Sequence, residues 1–125
     1  MRSIRPPHVR AIALAVLQSL GQTSFAPQSG VLDDKVVLIT GGTGSFGRRF
    51  VQTALERYTP RKVIIFSRDE LKQYEMQLEL KERFGPEHMS RLRFFLGDVR
   101  DRARLTLALR GVDVVIHAAA LKQVP

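Results

Sequence analysis

Between Thr40 and Gly47 the chain reads Thr-Gly-Gly-Thr-Gly-Ser-Phe-Gly, and this glycine spacing suits the binding of a pyrophosphate. Two patterns overlap there. Gly41, Gly44 and Gly47 make G-x-x-G-x-x-G, and Gly42, Gly44 and Gly47 make G-x-G-x-x-G. Gly41 and Gly42 permit a tight turn out of a strand. Gly44 lacks a Cβ, so a diphosphate can approach the backbone, and Gly47 lets the following helix lie against a sheet. That helix is expected to begin near Ser45, aiming its unpaired amides and positive dipole end at the phosphates. Thr43 and Ser45 add hydroxyl donors, and Phe46 is expected to pack under or over the ligand. Alone the pattern is weak, since a ligand-free strand–helix connection can look the same. Its context, with a strand before it, a helix after it and a second strand at the right interval, favours a bound dinucleotide.

Which dinucleotide depends on the end of the second strand. An acidic residue about 20 positions past the turn usually holds the adenosine ribose hydroxyls of NAD. Here Ser67 occupies that place, followed by Arg68. A hydroxyl and a guanidinium suit a 2′-phosphate, because arginine offers a planar fork of donors. NADP is therefore the favoured cofactor. Asp69 argues for NAD, but its preferred role is to cap the next helix, and the alternative for Arg68 is a solvated loop arginine. Lys72, one turn into that helix, can add charge to the same phosphate.

Further residues fall on the rim where open α/β sheets bind their ligands, at the carboxyl ends of the strands. Asp98 can accept from the adenine amino group while Val99 covers the ring; the alternative is a turn or cap aspartate. Ala118, Ala119 and Ala120 are small enough for the backbone to pass close to ribose and nicotinamide. Lys122 then faces the centre of the site and contacts cofactor and substrate together, unless it is an ordinary exposed lysine. His117 reads as a satisfied core histidine rather than a base, and His8 and His88 have no partners that suggest a site.

The elements that must position these residues alternate from Leu32 onward. Residues 35–40, Lys-Val-Val-Leu-Ile-Thr, predict a fully buried parallel strand. Residues 46–58 have helical apolar spacing at Phe46, Phe50, Val51, Ala54 and Leu55, with Pro60 just beyond. Residues 62–67 predict a second buried strand. Asp69 then caps a helix reaching Phe84, stopped by Gly85-Pro86. Residues 92–96 predict the third strand, Asp101 caps a helix to Arg110 that Gly111 ends, and residues 112–117 predict the fourth strand. The order βαβαβαβ specifies an α/β fold with a parallel sheet and crossover helices. It is a partial doubly wound Rossmann fold, truncated after the fourth strand. A sheet in the order 3-2-1-4-5-6 needs more strands beside the fourth, which would otherwise be an open apolar edge liable to aggregate. The chain is therefore expected to be a fragment, poorly soluble alone.

Residues 1–31 differ from the rest and are treated as an N-terminal extension, with 32–125 as the N-terminal part of the dinucleotide-binding domain. Ala11 to Leu20 is apolar on nearly every side, about half of the roughly 20 residues a membrane span needs. Arg2, Arg5 and Arg10 before it and Ser24-Phe25-Ala26 after it give it a weak likeness to a signal peptide. A disordered or loosely docked extension is preferred over a helix packing on a part not present, and over a targeting segment. No membrane span is expected.

The net charge of +8 over 125 residues raises the possibility of nucleic acid. The basic residues are scattered among acids, as in Glu79, Lys81, Glu82 and Arg83, and no run of five like charges exists. Nucleic-acid binding is therefore not expected; a basic surface also attracts a phosphate-rich cofactor and an anionic substrate. Cysteine is absent, which excludes disulfides, thiolate metal sites and cysteine nucleophiles.

Taken together, Leu38-Ile-Thr-Gly-Gly-Thr-Gly-Ser-Phe-Gly47, Ser67-Arg-Asp-Glu-Leu-Lys-Gln73, Phe95-Leu-Gly-Asp-Val-Arg-Asp101 and His117-Ala-Ala-Ala-Leu-Lys-Gln-Val-Pro125 resemble the UDP-N-acetylglucosamine 4,6-dehydratases. These are extended short-chain dehydrogenase/reductases of bacterial polysaccharide and flagellin-glycan biosynthesis. The glycine motif marks only the superfamily; the Ser-Arg-Asp-Glu-Leu-Lys and Ala-Ala-Leu-Lys-Gln-Val-Pro runs are narrower. The resemblance implies oxidation of the sugar at C4 by bound NADP⁺, elimination of water across C5 and C6, and return of the hydride to C6. By the same resemblance Thr43 to Phe46, Ser67, Arg68, Asp69, Glu70, Leu71 and Lys72, Asp98, Val99 and Ala118 match cofactor contacts. Lys122 matches a lysine that touches cofactor and substrate. It further implies a UDP-sugar substrate, a cytoplasmic protein and a homo-oligomer at full length.

The family's Tyr-x-x-x-Lys pair and nearby acid–base residues are expected beyond Pro125, so no catalytic residue is expected in this chain. Tyr74 has no lysine four residues on. Tyr58 has Lys62, but Pro60 lies between them and Lys62 starts a strand far from the rim, so that pair is rejected. Two other functions stay open: a non-catalytic dinucleotide-binding fragment, and a related nucleotide-sugar epimerase or reductase.

Overall fold

Strands whose side chains are apolar on both faces must lie inside a sheet covered on both sides. The computed structural model, which describes residues 10–11 and 30–117, meets that condition at residues 36–40 and 63–67. In chain order the strands are β1 (Arg10–Ala11), β2 (Val36–Thr40), β3 (Lys62–Ser67), β4 (Leu92–Leu96) and β5 (Val114–His117). They form one sheet in the order β1-β5-β2-β3-β4, with every pairing parallel. The helices are α1 (Ser45–Arg57), α2 (Glu70–Arg83), α3 (Pro86–Met89) and α4 (Arg102–Ala108). Among β2 to β5 the order is third, second, first, fourth, that of one half of a doubly wound Rossmann sheet. The expected α/β fold is therefore present.

Alternation along the strands divides the core between two faces. Val37, Ile39, Val63 and Ile65 pack with Val51, Leu55, Met76 and Leu80 of α1 and α2. Val36, Leu38, Ile64 and Phe66 pack with Ala108 and Val112, on and after α4. Every residue of β2 is buried, as is all of β3 beyond Lys62. Parallel register aligns the carboxyl ends: Thr40 sits opposite both Phe66 and His117, and Ser67 opposite Leu96. The residues after these ends share one rim.

Local signals set most of the boundaries. Asp69 caps α2 by accepting from the Lys72 amide at 3.0 Å, and Asp101 caps α4 by accepting from the Arg104 amide at 3.1 Å. Gly111, with φ 74°, ends the turn after α4 in a conformation that suits glycine.

Three features differ from expectation. Gly85-Pro86 stops α2 but also starts α3, since Gly85 is its N-cap and proline tolerates the first helical position. β5 begins at Val114 rather than at residue 112. Asp113 is used to close the sheet: its amide donates to the Val36 carbonyl at 2.8 Å, and its Oδ2 accepts from the Val36 amide at 2.9 Å. Third, β5 is not the bare edge of the sheet, because Arg10 and Ala11 pair with Val114 and Val115. The edge's free backbone groups accept any extended segment within reach. Apart from these two residues and 30–31, the segment 1–31 lies outside the described residues.

Asp113 joins elements 77 residues apart in sequence. Asp113→Ala is expected to lower stability by about 1–3 kcal/mol, because it leaves the Val36 amide without its acceptor. Asp113→Asn, which keeps a carbonyl oxygen, is expected to lose less. Urea-denaturation midpoints check both.

Candidate functional site

The glycine turn follows β2 directly. Gly41 takes φ 69°, and its amide donates to the Phe66 carbonyl at 3.0 Å, extending the β2–β3 ladder by one bond. Gly42 lies so close to the sheet that a Cβ would sit 2.7 Å from the Ile65 side chain. At Gly47 a Cβ would overlap the backbone of Gly42, so the first turn of α1 rests on the glycine turn itself.

Gly44 is different. It is exposed, and a Cβ there would meet nothing nearer than the Gly41 carbonyl at 3.6 Å. Nothing among the described residues requires a glycine at this position, which leaves an open cradle at the head of α1. As N-cap, Gly44 gives the helix no side-chain cap, and no acidic residue lies in the first turn. No side chain there offsets the positive end of the helix dipole, which favours an anion. Ser45 is exposed beside the cradle. Thr43 is buried, and its carbonyl accepts from Arg48 Nε at 3.0 Å. Phe46 packs on the core, with its ring 6.2 Å from that of Phe50. The residues present fit a diphosphate.

Along the rim, Ser67 ends β3 and is buried. Its partner is Gln73, a buried side chain that sequence reasoning quoted without assigning it a role. Gln73 Nε2 donates to Ser67 Oγ at 2.9 Å, to the Ser67 carbonyl at 3.3 Å and to the Phe95 carbonyl at 3.2 Å. It thereby ties the ends of β3 and β4 together. A glutamine six residues after the strand end, on the inward face of α2, was the available signal. Arg68, Asp69, Glu70, Leu71 and Lys72 are exposed at this end of the sheet. The Asp69 carboxylate is engaged as the helix cap.

Asp98 follows β4 and lies within reach of two arginines. Arg68 Nη1 donates to its Oδ2 at 3.1 Å, bridging the ends of β3 and β4. Arg100 donates from its backbone amide and Nε to Oδ1, at 2.8 and 3.1 Å, and from Nη2 to Oδ2 at 2.9 Å. The Arg100 side chain and then its amide hold the Asp98 carboxyl far below the usual carboxylate range; Arg68 adds to this, and desolvation opposes it. The same contact raises the Arg100 guanidinium. Gly97, just before, has room for no side chain, since a Cβ would lie 2.8 Å from both the Phe66 ring and Arg104. Arg100 and Gly97 lie within the quoted 95–101 run, where the sequence assigns neither a role of its own.

His117 shares a hydrogen bond with Thr40 across β2 and β5, Nδ1 to Oγ1 at 2.7 Å, as a satisfied histidine would. Val99 is exposed on the rim beside Asp98. Ala118 and Lys122 lie outside the described residues. The structure thus brings the glycine turn, Ser67, Arg68, Asp98 and Val99 to one rim. No helix among the described residues is long and apolar enough to cross a membrane.

A family model for polysaccharide biosynthesis proteins matches residues 37–125. The UDP-N-acetylglucosamine 4,6-dehydratase (inverting) of Campylobacter jejuni subsp. jejuni serotype O:23/36 (strain 81-176) is 52% identical over 95 residues, covering 76% of this chain and 26% of the relative. The UDP-glucose 4-epimerase of Rickettsia akari (strain Hartford) is 46% identical over 96 residues, covering 74% and 26%. Among solved structures, Pen from Bacillus thuringiensis superposes with a TM-score of 0.64 at 35% identity, over 74% of this chain and 28% of that one. The chain spans about a quarter of the length of the curated relatives it matches.

Gly44 and Gly47 separate ligand space from packing. Gly44→Ala is expected to fold with an unchanged melting temperature but to weaken dinucleotide binding, because its methyl group fills the cradle. Gly47→Ala is expected to lose about 1–3 kcal/mol of stability through overpacking. Thermal melts paired with dinucleotide titrations check both. Asp98 also sets a pH dependence. Its carboxyl is lowered in the folded state, so the stability it contributes is present above the unfolded aspartate value of about 3.9 and is lost as pH falls towards the lowered value. The difference in melting temperature between the protein and Asp98→Asn is expected to shrink over that acidic range.

Proposed function

This chain belongs to the polysaccharide biosynthesis protein family, and on that premise we propose that it forms the NADP-holding part of a nucleotide-sugar 4,6-dehydratase acting on UDP-N-acetylglucosamine. The observation that carries the proposal is the open cradle at Gly44, at the positive end of α1, on the same rim as Arg68.

The residues divide the work along that rim. Gly44 and the first turn of α1 receive the diphosphate, with Thr43, Ser45 and Phe46 around it. Ser67, Arg68 and Lys72 face the 2′-phosphate; Asp69, Glu70 and Leu71 shape the same corner. Asp98 and Val99 hold the adenine. Ala118 and Lys122 serve the nicotinamide end, and Lys122 also touches the substrate. When bound, the nicotinamide would supply a hydride acceptor for oxidation at the sugar's C4 and, once water has left across C5 and C6, the hydride for C6. The acid–base residues belong to the part of the enzyme after Pro125. Cytoplasmic residence and self-association of the full-length enzyme are parts of the same proposal.

The likeness to the Rickettsia akari protein supports a second reading, a nucleotide-sugar 4-epimerase. Both readings need the same dinucleotide, so the product separates them. Full-length enzyme given UDP-N-acetylglucosamine is expected to yield a 4-keto-6-deoxy product detectable by mass, whereas an epimerase yields an isomer of unchanged mass. This chain alone is expected to yield neither.

The cofactor assignment is tested by titration. Arg68→Ala is expected to weaken NADP⁺ about tenfold, the scale of one charge-assisted hydrogen bond, and NAD⁺ much less. Equal loss for both dinucleotides would refute the role given to Arg68. Failure of the unaltered protein to bind either would refute the cradle.

A further inference from the structure

Two arginines share Asp98 unequally. Arg100 holds both carboxylate oxygens with three donors, its amide and Nε on Oδ1 and its Nη2 on Oδ2, at 2.8–3.1 Å. Arg68 makes one bond, to Oδ2 at 3.1 Å, from a side chain that is 69% exposed. Two guanidinium groups facing one carboxylate leave one positive charge uncompensated. The three donors of Arg100 satisfy the carboxylate by themselves, so Arg68 is the partner that can leave at little cost.

We propose that Arg100 is a positioning residue for dinucleotide selectivity: by neutralising Asp98, it leaves Arg68 free to turn to a 2′-phosphate. The inference rests on the reading that Arg68 faces that phosphate. Without Arg100 the whole charge of Asp98 falls on Arg68. The phosphate must then compete with a carboxylate for one guanidinium, and it also meets an uncovered negative charge beside it. Neither effect acts on a dinucleotide whose 2′ position carries only a hydroxyl. The consequence is therefore a change in discrimination between two ligands rather than a general loss of binding. The Arg100 side chain is 76% exposed and fills no space in the core, so its loss opens no cavity.

The test is calorimetric titration of the full chain with NADP⁺ and with NAD⁺, for the unaltered protein, Arg68→Ala, Arg100→Ala and the double variant Arg100→Ala with Asp98→Asn. Arg100→Ala is expected to lower the ratio of NADP⁺ to NAD⁺ affinity about three- to fivefold, the size typical of an exposed ion pair. The double variant is expected to restore the ratio, because the uncovered carboxylate is then gone. A damaged fold would weaken both dinucleotides together and would not be rescued by Asp98→Asn. That outcome, or a ratio unchanged in Arg100→Ala while Arg68→Ala still lowers it, overturns the proposal and leaves the cofactor reading intact. A ratio that does not respond to Arg68→Ala overturns that reading and the proposal with it.

Discussion

The rest of the structure depends on one close approach: the first turn of α1 lies on the backbone of Gly42, with no space for a side chain at Gly47. Because that contact is made by backbone, it fixes where the helix begins and which way its axis points. The amides at the head of α1 are thereby held over the carboxyl end of β2, the position from which they can meet a phosphate. A helix packed through side chains would stand further off, and its dipole would be aimed less narrowly. The same glycine that allows the packing therefore also sets the electrostatics.

From that fixed point the sheet carries geometry sideways. Parallel pairing in register brings Thr40, Phe66 and His117 level, and the ladder continues past the strands through the Gly41 and Gly97 amides. Groups distant in the chain thus reach one rim. Arg68 and Asp98, separated by 30 residues, come within a hydrogen bond. Two guanidinium groups, those of Arg68 and Arg100, meet the Asp98 carboxylate on this rim, above the two core faces.

Much of this was legible in the sequence, for reasons that differ by element. β3 and β4 match the expected ranges residue for residue, because both are short, largely apolar runs bounded by polar turns, β3 buried and β4 at the edge of the sheet. The starts of α2 and α4 were equally plain, since Asp69 and Asp101 cap within three residues of themselves. What escaped is long-range. Asp113 closes on Val36, Gln73 joins two strand ends, Arg100 divides a carboxylate with Arg68, and Arg10–Ala11 covers part of β5. In each case the residue type is ordinary, and its role comes from a partner that only the folded chain supplies. α3 escaped for a local reason: Gly85-Pro86 is both a stop and a start.

The bonds made by Gln73 have a consequence for the hydroxyl they restrain. Two of its partners are backbone carbonyls, which can only accept, so the amide must turn its nitrogen towards them and cannot be flipped. Ser67 Oγ, facing the same nitrogen, is therefore committed as an acceptor on its inner side. Its own proton is not used in that bond and stays available to another acceptor. The end of β3 thus keeps a hydroxyl that can still give one hydrogen bond and accept one more, beside an amide whose orientation is fixed. An oxyanion can take the hydroxyl proton without any rearrangement of Gln73.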